Sequence, residues 1–198
     1  MSQIALPLEP RNGAANRIVV GNANRRIVEA FAVAEDWPYR TAILHGPPRS
    51  GKSLLARWFV ESGAGDALDD ADTLADDEVF HRWNRGQETG RPLLLVCGAR
   101  DGRWEVGLPD LASRLGAALR LEIGTPDEAM LADLIGVHAE MRGLVLDPSA
   151  TQYLVPRCER SHVGVETLVA AIDRLSLERK HPATLAILRE ALAQTRGT

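Results

Sequence analysis

Paired cysteines, paired histidines, long apolar runs and a strong excess of one charge are all missing from this chain, and each absence closes off a class of function. There are only two cysteines in 198 residues. Cys97 and Cys158 form no C-x-x-C pair and carry no zinc spacing, so they read as reduced, buried thiols of a cytoplasmic protein. The five histidines are scattered, with no H-x-H or H-x-x-x-H pair, and build no metal site of their own. No apolar run reaches membrane-spanning length, and the N-terminus has neither the basic start nor the apolar core of a signal peptide, so no membrane role is expected. The net charge of −4 argues against strong non-specific nucleic-acid binding. There is no internal repeat and no low-complexity tract. What remains, with 45% hydrophobic and 25% charged residues, is one mid-sized domain or a core with a small appended lid.

What is present is a phosphate loop. Gly46-Pro47-Pro48-Arg49-Ser50-Gly51-Lys52-Ser53 fits the pattern G-x-x-x-x-G-K-[ST]. Its backbone N–H groups must turn inward on phosphate oxygens, a path that Gly46 and Gly51 permit. Lys52 brings a mobile cation, Ser53 offers a hydroxyl to Mg²⁺, and the helix starting here aims its positive dipole end at the anion. Thr41 to His45 reads as the preceding strand, and Leu54, Leu55, Trp58 and Phe59 follow at helical spacing. The nucleotide-binding set is therefore residues 46–54, with ADP or ATP and Mg²⁺ as the expected cofactors.

Around the loop the pattern is that of an α/β protein with a parallel sheet, followed by helices alone. Asn22 or Asn24 can cap a helix from Arg25 to Glu35. After the loop helix the chain goes straight to Asp66-Ala67-Leu68-Asp69-Asp70. An apolar pair running into two carboxylates is the remnant of a Walker B strand, with Asp69 near Mg²⁺ and Asp70 near the attacking water; the alternative is an acidic, solvated loop. Asp76 to Trp83 predicts a helix leading to Gly86. Pro92 to Cys97 predicts a central buried strand, Leu108 to Leu115 a short helix, and Leu119 to Ile123 a strand nearer an edge. Thr125 to Glu128 reads as a capping box with Pro126 at the first helical position. Further helices are expected to start at Asp147-Pro148, at Ser161 or His162, and at Pro182. The leading Ile4, Leu6 and Leu8 sit in a Pro-interrupted polar tail, which either folds back on the domain or is a linear motif that fills a partner's pockets. The expected division is a flexible peptide over 1–15, a nucleotide-binding core over 16–124 and a helical lid over 125–198.

At these residues the chain resembles the DnaA replication-initiator branch of the AAA+ family, and within it the Hda-type regulators. Val19 to Asn24 (VVGNAN) looks like the family's adenine- and ribose-contacting turn, which implicates Val20 and Gly21. Leu108 to Leu115 (LPDLASRL) looks like the box VII segment, in which Arg114 is an arginine finger. Gln3-Ile4-Ala5-Leu6-Pro7-Leu8 looks like the motif that binds the DNA-polymerase sliding clamp. The resemblance implies a regulator of chromosomal replication initiation. Its partners would be the clamp, bound through Gln3, Ile4, Leu6, Pro7 and Leu8, and the DnaA initiator, whose ATP Arg114 would help hydrolyse in trans; a homodimer is also compatible. The chain read here stops at Thr198 with no basic recognition helix, so no direct sequence-specific DNA binding is expected.

Three departures from a working ATPase bear on mechanism. The strand and helix between the phosphate loop and the Walker B acids are missing; in the family's order that strand lies at an edge, so its loss spares the central strands. The sensor 1 position at the end of the buried strand reads Val96-Cys97-Gly98. The sensor 2 region reads Ser161 to Glu166, where Glu166 stands near the expected arginine and Arg160 lies just upstream. These favour nucleotide binding, with ADP the better-tolerated ligand, over self-hydrolysis. The competing expectations are an AAA+ adaptor that binds clamp or initiator without stimulating hydrolysis, and a small P-loop NTPase or kinase.

Overall fold

The computed structural model describes residues 17–98 and 104–195. They divide into two compact units, one of residues 24–124 and one that joins residues up to Ala23 with those from Thr125 onward. The clamp-motif residues Gln3, Ile4, Leu6, Pro7 and Leu8 lie outside the described residues.

The first unit alternates helix and strand: α1 (Arg25–Phe31), β1 (Thr41–His45), α2 (Lys52–Glu61), β2 (Asp66–Leu68), α3 (Asp76–Thr89), β3 (Leu93–Val96), α4 (Pro109–Gly116) and β4 (Leu119–Glu122). The four strands are parallel in the order β2-β3-β1-β4, with Ile43 beside both Leu95 and Arg120. Parallel strands need crossover helices on both faces, so the two central strands are buried except at His45, the last residue of β1. In β3 all four residues are buried. Strand alternation sends Ile43, Leu93 and Leu95 to one face, where they pack with Val79, Trp83, Leu111 and Leu115 of α3 and α4. An aromatic cluster of Phe31, Trp37, Trp58 and Phe59 binds α1 to α2.

The expected deletion has a visible consequence. The chain passes from α2 into β2, which is three residues long and stands at the sheet edge, paired with β3. The Asp66 carboxylate there meets the Arg91 guanidinium at 3.2 Å. A short, charged strand is a poor template for further pairing. Two helix expectations need correction. The first helix ends at Phe31, and a separate 3₁₀ turn covers Ala34–Asp36. The helix from Asp76 runs through Gly86 to Thr89 and stops at Gly90, whose φ is +69°. Gly86 serves close approach: a Cβ there would lie 3.3 Å from the Arg91 carbonyl oxygen.

Among the described residues the second unit holds four helices: α5 (Glu128–Met141), α6 (Pro148–Leu154), α7 (His162–Arg179) and α8 (Leu185–Thr195). Their apolar faces share one core that includes Leu131, Ile135, Leu154, Leu168, Ile172 and Leu188. Asp147 caps α6 and Ser161 caps α7 with side-chain acceptors, as expected. Hydrogen bonds from the Ser149 hydroxyl and the Ala150 N–H hold the Asp147 carboxyl below the usual carboxylate range. The capping box at Thr125 is not formed. Asp127 is the cap instead, accepting from the Met130 N–H at 2.8 Å, and Pro126 lies outside the helix. The last helix begins at Leu185, because the Pro182 carbonyl is taken by the Thr184 N–H in a tight turn.

Residues 17–23 belong to this helical unit. Asn22 does not cap α1; its Nδ2 donates to the Thr125 carbonyl and its Oδ1 accepts from the Asp127 N–H, both at 2.9 Å. Asn24 precedes α1 without a side-chain cap bond. A Cβ on Gly21 would come within 2.8 Å of the Met130 side chain, so only glycine lets this segment lie against α5.

Candidate nucleotide-binding site

The loop between β1 and α2 has the shape of an anion cradle. Gly46 lets the chain turn over Ile123, whose Cβ would be 2.8 Å from a Cβ at Gly46. Gly51 is left-handed (φ +88°), and nothing lies within 4 Å of where its Cβ would be. The α2 N-terminus has no side-chain cap. Its first amide N–H groups and dipole are therefore available to an anion. The Lys52 ammonium braces the loop from within, donating to the Gly46 carbonyl at 2.8 Å and the Pro47 carbonyl at 3.1 Å. Pro47, Pro48, Arg49 and Ser53 are exposed along this loop, Leu54 is half-buried, and Ser50 is buried with no hydrogen-bond partner for its hydroxyl. The donor set suits a phosphate chain.

The acids converge on the same place. Burial lowers the Lys52 pKa, and the charges of Asp69, Asp70 and Asp72 oppose that shift, in that order. Asp70 sits in a left-handed turn (φ +49°) directly after β2. A Cβ on Gly98, at the end of β3, would lie 3.4 Å from its Oδ1. The Gly98 N–H donates to Asp72 Oδ1 at 2.9 Å. Sequence reasoning missed Asp72. It stands in an acid-rich run, and only the 3₁₀ turn Ala71–Thr73 separates it from its neighbours. Cys97, just after β3, is buried; burial, reinforced by the Asp72 charge, pushes its thiol up to about 12, so it carries no charge near neutral pH. Among the described residues no group of three or more Asp, Glu, His or Cys is arranged to hold a metal alone. A Mg²⁺ here would draw on one or two carboxylates, the Ser53 hydroxyl and phosphate oxygens.

Lys52 makes the site pH-dependent. Its folded pKa is depressed, so the free protein gains stability as pH rises through that window, while phosphate binding, which favours the ammonium, weakens. The affinity for MgADP is expected to hold through neutral pH and to fall below the pH at which an exposed lysine titrates, ~10.4. Calorimetric titration between about pH 7 and 10 checks this; a flat profile means Lys52 does not hold phosphate.

In the helical unit, residues 127–192 match the family model described as Hda, lid domain. The fold is similar to domain III of the Thermotoga maritima replication initiation protein DnaA, with a TM-score of 0.72 at 14% identity, over 96% of this chain and 99% of that one. AMPPCP-bound DnaA from Aquifex aeolicus is similar at a TM-score of 0.61 and 17% identity, over 87% and 68%. The Thermotoga maritima RuvB Holliday junction branch migration motor is similar at 0.58 and 15%, over 87% and 68%. At these identities the likeness is one of fold alone. The family-model match is confined to residues 127–192, and the solved structures share the fold.

Three groups of expected site residues are not part of the loop. In the helical unit, Arg160 pairs with Glu128 at 2.6 Å across the starts of α7 and α5, and Glu166 lies on α7. Val20 and Gly21 belong to the lid unit. Arg114 is on α4, where its guanidinium lies between the rings of Phe80 (4.6 Å to the centroid) and Trp83 (4.4 Å) and its Nη1 donates to Asn84 Oδ1 at 3.0 Å. Three residues of α3 thus fix where Arg114 stands.

Proposed function

We propose that this chain is a DnaA-related regulator of replication initiation that holds ADP or ATP with Mg²⁺ in its own phosphate loop and acts on ATP held by the initiator. The observation that carries it is the Hda lid over residues 127–192 on a core of DnaA-like fold. Nucleotide binding gains support from the loop itself and from DnaA structures of the same fold that hold AMPPCP. Gly46 to Leu54 grip the phosphates, with Lys52 neutralising their charge. Asp69, Asp70 and Ser53 surround Mg²⁺. The bound nucleotide locks the fold rather than being consumed, because the sensor 1 position offers only the neutral thiol of Cys97.

The residues turned to the partner are the N-terminal motif and Arg114. Gln3, Ile4, Leu6, Pro7 and Leu8 dock on the sliding clamp as a peptide motif, which concentrates the regulator at the clamp. Arg114 then offers a planar, permanently charged fork to the γ-phosphate on the initiator. The initiator's ATP hydrolysis, measured with DNA-loaded clamp, is expected to rise with the full chain and to fall back when residues up to Pro10 are removed. Hydrolysis that ignores the chain altogether overturns the proposal; stimulation that survives the truncation overturns the tether. A second reading, an adaptor that binds without stimulating, draws on the same aromatic sandwich, since an arginine that never leaves Phe80 and Trp83 reaches no phosphate.

A further inference from the structure

We infer that Asp76 is a positioning residue for Arg114: its carboxylate, at the start of α3, sets the register of α4 and so the place from which the guanidinium is presented. The inference rests on the arginine-finger reading above and adds to it a residue that acts on the opposite end of α4.

Asp76 opens α3, and its Oδ2 turns to a distant part of the chain, accepting from the Gly107 N–H at 2.7 Å and the Leu108 N–H at 2.8 Å. Leu108 is the residue directly before α4, which starts at Pro109 and has no side-chain cap. One carboxylate oxygen thus pins two consecutive amides, and hydrogen bonds to an ionised acceptor are short and directional. The apolar contacts of α4 are of another kind. Leu111 and Leu115 pack with Val79 and Trp83 and hold the helix to its unit. Burial of that sort is non-directional and does not by itself choose among small slides and rotations. The same strip of α3 carries a second tie. Phe80, Trp83 and Asn84 follow Asp76 by four, seven and eight positions, the spacing of one helix face, and these three receive Arg114. Helix α4 is therefore held to one face of α3 both at its start and at Arg114. The finger reading requires the second tie to open, since a guanidinium kept between two rings reaches no phosphate. Asp76 is the contact that keeps α4 in register while Arg114 is extended, and an arginine presented from a fixed helix meets its phosphate in the reactive geometry.

The test measures ATP hydrolysis by the initiator, with DNA-loaded clamp, against the concentration of the full chain and of its Asp76→Ala, Asp76→Asn, Asp76→Glu, Asp77→Ala and Arg114→Ala variants. Asp76→Ala is expected to lower the maximal stimulated rate about 10- to 100-fold, the scale of loss that a misplacement of about 1 Å brings, with the half-saturating concentration unchanged. Asp76→Asn keeps a carbonyl oxygen with two lone pairs for the two N–H groups and should recover most of the rate. Asp76→Glu keeps the charge but moves the acceptor outward by one methylene, so its rate should lie between. Asp77→Ala removes the exposed carboxylate next along the same helical turn and should stimulate like the wild type. An unchanged maximal rate in Asp76→Ala, or in Asp76→Glu should the alanine variant not fold, overturns the inference and leaves the finger reading intact where Arg114→Ala has lost stimulation. A loss that appears as a raised half-saturating concentration overturns it as well, because Asp76 then touches the initiator directly. Asp76→Asn as poor as Asp76→Ala makes charge the cause and overturns the acceptor role. Normal stimulation by Arg114→Ala overturns the finger reading and this inference with it.

Discussion

Arg114→Ala is expected to cost the initiator-directed activity ~10³-fold or more while leaving MgADP binding and the fold intact, since an arginine finger is worth ~10³–10⁵ in hydrolysis rate. The two effects separate cleanly on magnitude. The sandwich between Phe80 and Trp83 is a partly exposed cation–π contact, and its loss costs ~0.5–1 kcal/mol. The Asn84 hydrogen bond adds about as much. A domain stable by ~5–15 kcal/mol survives that, so lost stimulation reports on chemistry and not on unfolding. Arg114→Lys is expected to fail nearly as badly, because an ammonium neither stacks as a plane nor donates in two parallel bonds. The check is the initiator's hydrolysis rate at saturating regulator, with the variant's Kd for MgADP measured beside it. Normal stimulation by Arg114→Ala removes the finger assignment and leaves the adaptor reading standing.

The largest expected loss of stability is from Phe59→Ala. Phe59 is fully buried on α2, with its ring 4.8 Å from Phe31 and stacked on Trp37 at 5.4 Å. A Cβ on Gly65 would come within 2.6 Å of the same ring, so the turn into β2 is moulded on it. Truncation removes the ring and leaves a cavity that three elements bound, for a cost of ~3–5 kcal/mol. Because α2 begins at the phosphate loop, the same change loosens the cradle. Denaturant unfolding of the ligand-free protein should show a much lower midpoint, partly restored by MgADP, which at a hundredfold excess over Kd returns ~2.7 kcal/mol. A change below ~1.5 kcal/mol would mean the cluster relaxes around the gap and does not anchor the loop.

What could be read from the residues in order was local. The loop, the buried Leu93–Val96 strand and the caps at Asp147 and Ser161 each advertise themselves within a few positions, through glycine spacing, apolar runs or a hydrogen bond to the next turn. What could not be read depends on partners far along the chain. Gly86 looked like a helix stop because glycine has poor helix propensity; its reason for being there is the Arg91 backbone across the turn. Asn22 looked like a cap for α1 because its chemistry suits one; its side chain instead satisfies Thr125 and Asp127, more than a hundred residues on. Asp72 was one acid among many until the end of β3 supplied the N–H that fixes it. The place of Arg114 between two rings of α3 needs tertiary structure to be seen at all.

The Asn22 clasp also bears on how the protein is made. The helical unit takes its first strand of chain from residues 17–23 and the rest from Thr125 onward, so the entire sheet unit is spliced into it. A ribosome delivers residues 24–124 as one uninterrupted stretch, and these can condense as soon as they emerge. The helical unit has to wait: its opening segment leaves the exit tunnel early and finds no Thr125 or Asp127 to hold until the sheet unit has been completed. Synthesis thus imposes an order of assembly, core before lid.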